Sequence, residues 1–326
     1  MPHPIYLDAV GVPLHPFVLG TMTFADTVDE ATARSIVDEA LDSGVTGVDT
    51  ANVYAAGEGE RMVGRALAGR RDRVVLATKA GLPHSDIGDD APLSAAALRR
   101  CLTGSLSRLQ VEAVDIFYLH QPDRCTPLSE TLEAVATLHQ EGKLRALGVS
   151  NYAAWQIGQI DRLAADIGCP RPVVAQQVFN LVARRLEDEY AEYALTSGIA
   201  TLVFNPLAGG LLTGAHRFED RPSGGRFGAS AVAPTYQQRY WQPQMFDAVQ
   251  RLSKVASAAG LSLVDLALRW LLNRPVVCGI LLGFSTREHF RANLDALAAG
   301  PLPVDVVEAC DEATQPLRPA MPAYNR

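Results

Sequence analysis

Short apolar runs rich in β-branched residues alternate along the chain with longer stretches whose apolar positions recur at helical spacing. The short runs are FVLGTM (17–22), VTGVDT (45–50), VVLATK (74–79), DIFYLH (115–120), ALGVSN (146–151), VVAQQVFN (173–180), TLVFNPL (201–207) and ILLGFS (280–285). Such runs suit strands buried on both faces, as in a parallel sheet. The longer stretches predict helices over 29–43, 59–68, 94–109, 128–141, 153–167, 187–197, 245–259, 262–273 and 286–299. In the first of these, Ala31, Ile36, Val37, Ala40 and Leu41 form the apolar stripe. Ser94, Ser262 and Thr286 stand where N-caps belong, with side-chain oxygens able to accept from the first turn's free N–H groups. Strand and helix alternate through eight units, which predicts an α/β fold of the (β/α)8 TIM barrel class. A doubly wound open sheet is the runner-up, disfavoured because no G-x-G-x-x-G follows the first strand.

Two segments stand outside the alternation. PIYLDAVGVPLH predicts a short N-terminal hairpin turning at Val10–Gly11, placed to plug the floor of a barrel. From about Leu207 to Gln242 the periodicity lapses into a long loop after strand 7, punctuated by Gly209, Gly210, Gly214, Gly224, Gly225, Gly228, Pro222 and Pro234. A loop of that length in a compact domain is usually functional or disordered. With no linker and no repeat beyond the β/α unit, residues 1–326 read as a single domain.

Composition narrows the function classes. Hydrophobic residues at 48% and charged residues at 20% exclude fibrous and disordered chains. A net charge of −7 argues against nucleic acid as a partner, which needs a basic face. No apolar run approaches the ~20 residues of a membrane span, and no secretory leader is visible at the start of the chain. Cys101, Cys125, Cys169, Cys278 and Cys310 are scattered without a C-x-x-C pair, so neither a disulfide framework nor a metal site is expected. The expectation is a cytoplasmic protein acting on a small molecule.

The candidate chemistry lies at the C-terminal ends of the strands: Asp49, Lys79, His120, Ser150–Asn151, Asn205 and Gly283–Ser285, with Gln176 inside its strand and Tyr54 in the loop past Asp49. In a barrel those ends converge on one mouth. Taken singly, each has a structural explanation: a solvated lysine, a packed histidine, a capping aspartate, a loop aromatic. Together they suit proton delivery to a carbonyl. A tyrosine, with an ordinary pKa near 10, needs a neighbouring cation to act as an acid at neutral pH. Lys79 supplies that cation, Asp49 aims it, and His120 donates a hydrogen bond to the substrate oxygen. No side chain supplies hydride, so a cofactor is required.

VDTANVY with Asp49 and Tyr54, the T-K pair at Lys79 and the L-H pair at His120 resemble the catalytic tetrad of the aldo-keto reductases. GVSNY (148–152), Gln176 and NPLAGGLLTG (205–214) resemble that superfamily's cofactor segments, and the likeness covers nearly the whole chain. LHQPDRCTPLSETL, GRF followed by QRYW, and the ending PAYNR resemble its aflatoxin-aldehyde and succinic-semialdehyde reductase branch.

The resemblance implies a (β/α)8 barrel, NADPH as hydride donor, aldehyde or ketone substrates and commonly a homodimer. It implies Tyr54 as general acid, with Asp49 also close to the nicotinamide ribose. Ser150, Asn151 and Gln176 would hold the nicotinamide amide, and Phe204 would lie near the ring. Asn205, Pro206, Leu207, Gly209, Gly210, Leu211 and Thr213 would wrap the pyrophosphate, where glycines let backbone N–H groups approach oxygen. Gly283, Ser285, Thr286, Arg287, His289 and Asn293 would take the adenosine phosphate at a helix N-terminus. Arg226 would clamp cofactor phosphate, while His120, Tyr236, Arg239 and Arg326 would face the substrate. Two arginines at the pocket favour a carboxylate-bearing aldehyde. The chain departs from the branch at TFADT after GTM, at Ala215 where many members carry lysine, and at His289 in place of glutamine. Two other readings fit parts of the pattern. One is a nucleotide-sensing barrel that docks a protein partner with little turnover. The other, a metal-dependent isomerase on Asp49, Glu58 and His120, is disfavoured because Lys79 would compete with the ion.

Overall fold

The computed structural model describes residues 5–228, 230 and 232–318. Strands β1 (Ile5–Tyr6) and β2 (Pro13–Leu14) form an antiparallel hairpin. Then β3 (Phe17–Gly20), α1 (Glu30–Asp42), β4 (Gly47–Asp49), α2 (Glu58–Ala66), β5 (Val75–Ala80) and α3 (Ala95–Leu109) alternate along the chain. The pattern continues through β6 (Val114–Leu119), α4 (Leu128–Gln140), β7 (Leu144–Ser150), α5 (Ala154–Ile167), β8 (Pro172–Val178), α6 (Tyr190–Ser197) and β9 (Ala200–Phe204). After β9 come α7 (Ala233–Tyr240), α8 (Pro243–Ala258) and α9 (Leu263–Leu271), then β10 (Gly279–Leu282), α10 (Arg287–Ala298) and α11 (Val304–Thr314). Strands β3 to β10 close into a parallel barrel, the last pairing with the first through Ile280–Phe17, Leu281–Val18 and Leu282–Leu19. The (β/α)8 expectation is met, and no helix among the described residues is long and apolar enough to cross a membrane.

Strand alternation sorts the core into two layers. Leu19, Val48, Leu76, Phe117 and Leu147 face outward and pack under helix residues such as Ile36, Val63, Leu102, Val135, Ile157 and Leu266. Each such burial stabilises the fold by about 1.5–3 kcal/mol. Val18, Val75, Ala77, Ile116, Tyr118, Ala146, Val174, Leu202 and Leu281 face inward and fill the barrel. Ile5, Leu7, Val10 and Leu14 of the hairpin join that inner cluster, so the hairpin closes the floor as expected. Its turn is held by the Val10 and Gly11 N–H groups, which donate to the Leu7 carbonyl at 2.8 and 3.2 Å.

The helix ends match the caps read from sequence. Ser94, Ser262 and Thr286 each accept from the backbone N–H three residues on, and Asp29 does the same for α1. Two helices, α7 and α11, were not expected. The stretch 207–242 is not irregular throughout: it contains helical turns at Ala208–Thr213 and Gly225–Phe227 as well as α7. Pro234, expected to break structure, sits in the first turn of α7, where proline's missing N–H costs nothing. Helix α11 comes after the eighth β/α unit and packs on α8, outside the repeat.

Candidate active site

The inward register of each strand carries its last side chain to one mouth. On β5 the inward positions are Val75, Ala77 and Lys79, and on β6 Ile116 and Tyr118, with His120 the next step. Asp49 and Lys79 are each 1% exposed. The Lys79 ammonium donates to Asp49 Oδ1, to the Thr50 carbonyl at 2.8 Å and to the Tyr54 hydroxyl oxygen at 3.3 Å. All three of its N–H donors are thereby engaged. Gln176 Nε2 donates to the other Asp49 oxygen at 2.6 Å. The His120 ring stands edge-on to Tyr54, centroids 6.0 Å apart at 82°.

These contacts set the charges. Burial alone would strip the proton from Lys79, but Asp49 and Tyr54 outweigh it and hold the pKa above the ordinary lysine value. Burial pushes the Tyr54 hydroxyl above 10, against the downward pull of Lys79. The cation was expected to lower Tyr54. Instead, desolvation wins and the phenol keeps its proton at rest. His120 is pushed well below the ordinary histidine value, first by burial and then by the Lys79 charge, so the ring is neutral. Its Nδ1 is buried without a hydrogen-bond partner among the described residues.

Tyr54 sits on a strained turn. Ala55 and Ala56 have left-handed φ angles of 46° and 53°, a conformation that costs a non-glycine residue about 1–3 kcal/mol. Similar φ values of 62° occur at Asn151 and Asn205, just past β7 and β9. Strain of this kind gathers at functional sites. Asn151 Nδ2 donates to the His120 carbonyl and to Ser150 Oγ, both at 3.0 Å, tying two strand ends together.

The expected cofactor residues lie along the rim between β7, β9 and β10. Phe204 is half-buried at the end of β9, and Pro206 and Leu211 are buried beyond it. Asn205 Oδ1 accepts from the Gly209 N–H at 2.6 Å, and its Nδ2 donates to Tyr240 Oη at 2.8 Å. The Leu207 carbonyl accepts from Gly210 N–H at 2.9 Å, and Thr213 Oγ1 donates to the Gly210 carbonyl at 2.7 Å. Gly209 and Gly210 take φ values of 72° and 105°. Gly283 is exposed, Thr286 caps α10, Ser285 Oγ lies 3.4 Å from His289 Nδ1, and Asn293 is buried on α10. Left-handed glycines, a capped twelve-residue helix start and Arg226 beside Gly283 are groups whose chemistry fits the phosphates of a dinucleotide.

Three expected residues have partners that the sequence did not reveal. Arg226 donates to Tyr236 Oη at 2.8 Å and reaches Met22 Sδ at 3.1 Å. Arg239 lies near the rings of Tyr236 and Tyr240, 6.0 and 5.9 Å from their centres. Arg287 donates through Nε to Glu39 at 2.8 Å, and Arg291 shares that buried carboxylate at 2.6 Å. Arg326 lies outside the described residues. Two functional features were not evident from sequence: Gln176 as a partner of Asp49, and Tyr118 beneath Lys79, its ring centre 5.9 Å from the ammonium. The inward register of β6 was the signal for Tyr118.

Known proteins resemble the chain over most of its length. The model of the Aldo/keto reductase family matches residues 16–315. Aflatoxin B1 aldehyde reductase member 2 of Homo sapiens is 37% identical, covering 95% of this chain and 89% of its own. Aflatoxin B1 aldehyde reductase member 4 of Homo sapiens is 36% identical, covering 91% and 92%. A probable voltage-gated potassium channel subunit beta of Oryza sativa subsp. japonica is 32% identical, covering 88% and 90%. The chain belongs to the aldo/keto reductase family, and is an oxidoreductase of carbonyl compounds that uses a nicotinamide cofactor.

Proposed function

We propose that this protein reduces aldehydes or ketones to alcohols with NADPH as hydride donor and Tyr54 as proton donor, favouring aldehydes that bear a carboxylate. The observation that carries the reading is the buried Asp49–Lys79–Tyr54 chain, with neutral His120 edge-on to the phenol. Lys79 donates to the Tyr54 oxygen, so the phenol's own proton is free to point at a substrate oxygen. As that proton leaves, the ammonium stabilises the phenolate in a site that excludes water. Asp49 holds Lys79 charged, and Gln176 holds Asp49. A neutral His120 donates one N–H to the carbonyl oxygen and fixes its approach. The bound nucleotide supplies the hydride, and the protein supplies orientation.

Ser150, Asn151 and Gln176 would hold the nicotinamide amide; Asn205 to Thr213, Arg226 and the start of α10 would hold the phosphates. Arg287 would do so only after sharing its charge with Glu39. Preference for a carboxylate rests on Arg239, with Arg326 as the proposed second anchor. In support, Arg239 stands 6.0 Å from the ring centre of Tyr236, whose hydroxyl accepts from Arg226 at 2.8 Å.

The test is NADPH consumption with succinic semialdehyde and with a neutral aldehyde of similar size. Preference for the acid, lost in Arg239→Met, is expected. Equal rates would keep the reductase and discard the arginine pocket. Similarity to the rice relative favours a second reading, in which the barrel senses bound nucleotide for a protein partner. Turnover at an ordinary enzymatic rate would overturn that second reading.

A further inference from the structure

Tyr54 and Lys79 stand on different elements, and the proton path needs them within hydrogen-bond reach. The backbone links them through Asn52 N–H, which donates to the Lys79 carbonyl at 3.2 Å. A second link runs behind the barrel wall through side chains that do not face the mouth. Glu60, in the first turn of α2, is 0% exposed. One of its oxygens accepts from Thr78 Oγ1, the residue next to Lys79 on the outward face of β5. The other accepts from Arg108 Nε at 2.7 Å. Arg108 NH2 then donates to Asp86 Oδ2 at 2.8 Å, and Asp86 Oδ2 lies 3.2 Å from His84 Nδ1.

This network is packed directly against the tyrosine's turn. A Cβ at Gly57, which closes the turn with φ 93°, would lie 2.8 Å from Arg108 Cδ. At Gly59, a Cβ would lie 3.2 Å from both the Tyr54 Cβ and the Tyr54 carbonyl oxygen. At Gly104 it would lie 2.6 Å from Asp86 Oδ2. Three glycines thus make room for charged groups and turn to meet. The turn needs such support, because left-handed Ala55 and Ala56 persist only where their surroundings over-determine them. Stability alone is a weak reason for the network, since a buried ion pair can often be replaced by apolar groups at no loss. Its geometry is the better reason: a planar guanidinium gripped by two carboxylates fixes direction as well as distance.

We propose that Glu60 and Arg108, completed by Thr78 and Asp86, are positioning residues that hold the Tyr54 hydroxyl at Lys79 against the strain of its own turn. The inference rests on Tyr54 as the proton donor. Misplacement of a reacting group by about 1 Å is costly, so the effect belongs in kcat and not in nucleotide binding.

The experiment compares wild type, Arg108→Met, Arg108→Lys, Thr78→Val and Tyr54→Phe. Single-turnover hydride transfer, steady-state kcat and KM, NADPH affinity and Tm are measured for each. In Arg108→Met, hydride transfer is expected to fall roughly 10- to 100-fold, with NADPH affinity and KM nearly unchanged. Arg108→Lys does not restore the rate, since it lacks the fork. Thr78→Val removes one tie at nearly constant size. It leaves a buried Glu60 oxygen without that donor, so Tm falls by a few degrees, and in the still-folded protein transfer slows. Wild-type transfer in a folded Arg108→Met protein overturns the proposal. Should Arg108→Met fail to fold, Thr78→Val decides: a slowed rate supports the proposal and a wild-type rate overturns it. Turnover retained in Tyr54→Phe would instead remove the acid itself, a separate failure.

Discussion

At the scale of single residues, the tyrosine is an acid that burial makes weaker. Lys79 acts less on its resting charge than on the phenolate left when the proton departs. Tyr54→Phe removes the proton and keeps the ring. Turnover should drop by about 10²- to 10⁴-fold, the usual contribution of a positioned acid. NADPH affinity should stay nearly constant, because no expected cofactor contact passes through the hydroxyl. Steady-state rates and a fluorescence titration check both halves, and a near-normal rate would take Tyr54 out of the acid role. The four groups of this chain were legible from sequence because each ends, or lies just past, an apolar run. Their partners were not. Gln176 reaches Asp49 across 127 residues, and among the residues expected at the cofactor Arg287 likewise reaches Glu39 across 248. Glu39 lies on a helix whose pattern announced only an apolar stripe. Contacts over such separations depend on which strands and helices the closed barrel brings together, and no local periodicity encodes that.

At the scale of elements, legibility tracks repetition. Eight short apolar runs, each followed by a helical stretch, mark the strands, and the polar residue that ends most of them marks the mouth. Helix α7 lies where that repetition lapses, yet it brings Tyr236 and Arg239 to the rim. Its ring packing decides the loop after β9. A Cβ at Gly209 would lie 2.5 Å from the Tyr236 ring, at a φ of 72°. Gly209→Ala therefore meets a conformational cost of about 1–2 kcal/mol for the left-handed backbone, and a clash that displaces either Tyr236 or the loop. The barrel beneath is untouched. NADPH should bind roughly tenfold more weakly, the equivalent of ~1.4 kcal/mol, while far-UV circular dichroism stays as in wild type. Unchanged NADPH affinity in this variant would mean that the loop does not wrap the cofactor phosphates.

At the scale of the whole molecule, the hairpin floor and the helix ring exclude water from the barrel, and that exclusion couples the mouth to stability. His15, His120 and His216 all have pKa values lowered chiefly by burial, and His120 the most clearly. The unfolded chain takes up protons on these histidines near pH 6.5 while the folded chain resists, so stability is full above pH ~6.5 and falls as pH drops below it. For His120, 8% exposed, the slope approaches about 1.4 kcal/mol per pH unit. Carboxylates held low by partners, such as Glu39 under Arg287, titrate in a separate and more acid window. Urea midpoints of wild type and His120→Asn from pH 8 to 5.5 isolate the histidine's contribution. The wild-type curve should fall more steeply than the variant's between pH 6.5 and 5.5. Parallel curves would mean that His120 takes up its proton as readily folded as unfolded. It would then titrate near pH 6.5 in the folded protein, and the strongly lowered value derived from burial and the Lys79 charge would have to be abandoned.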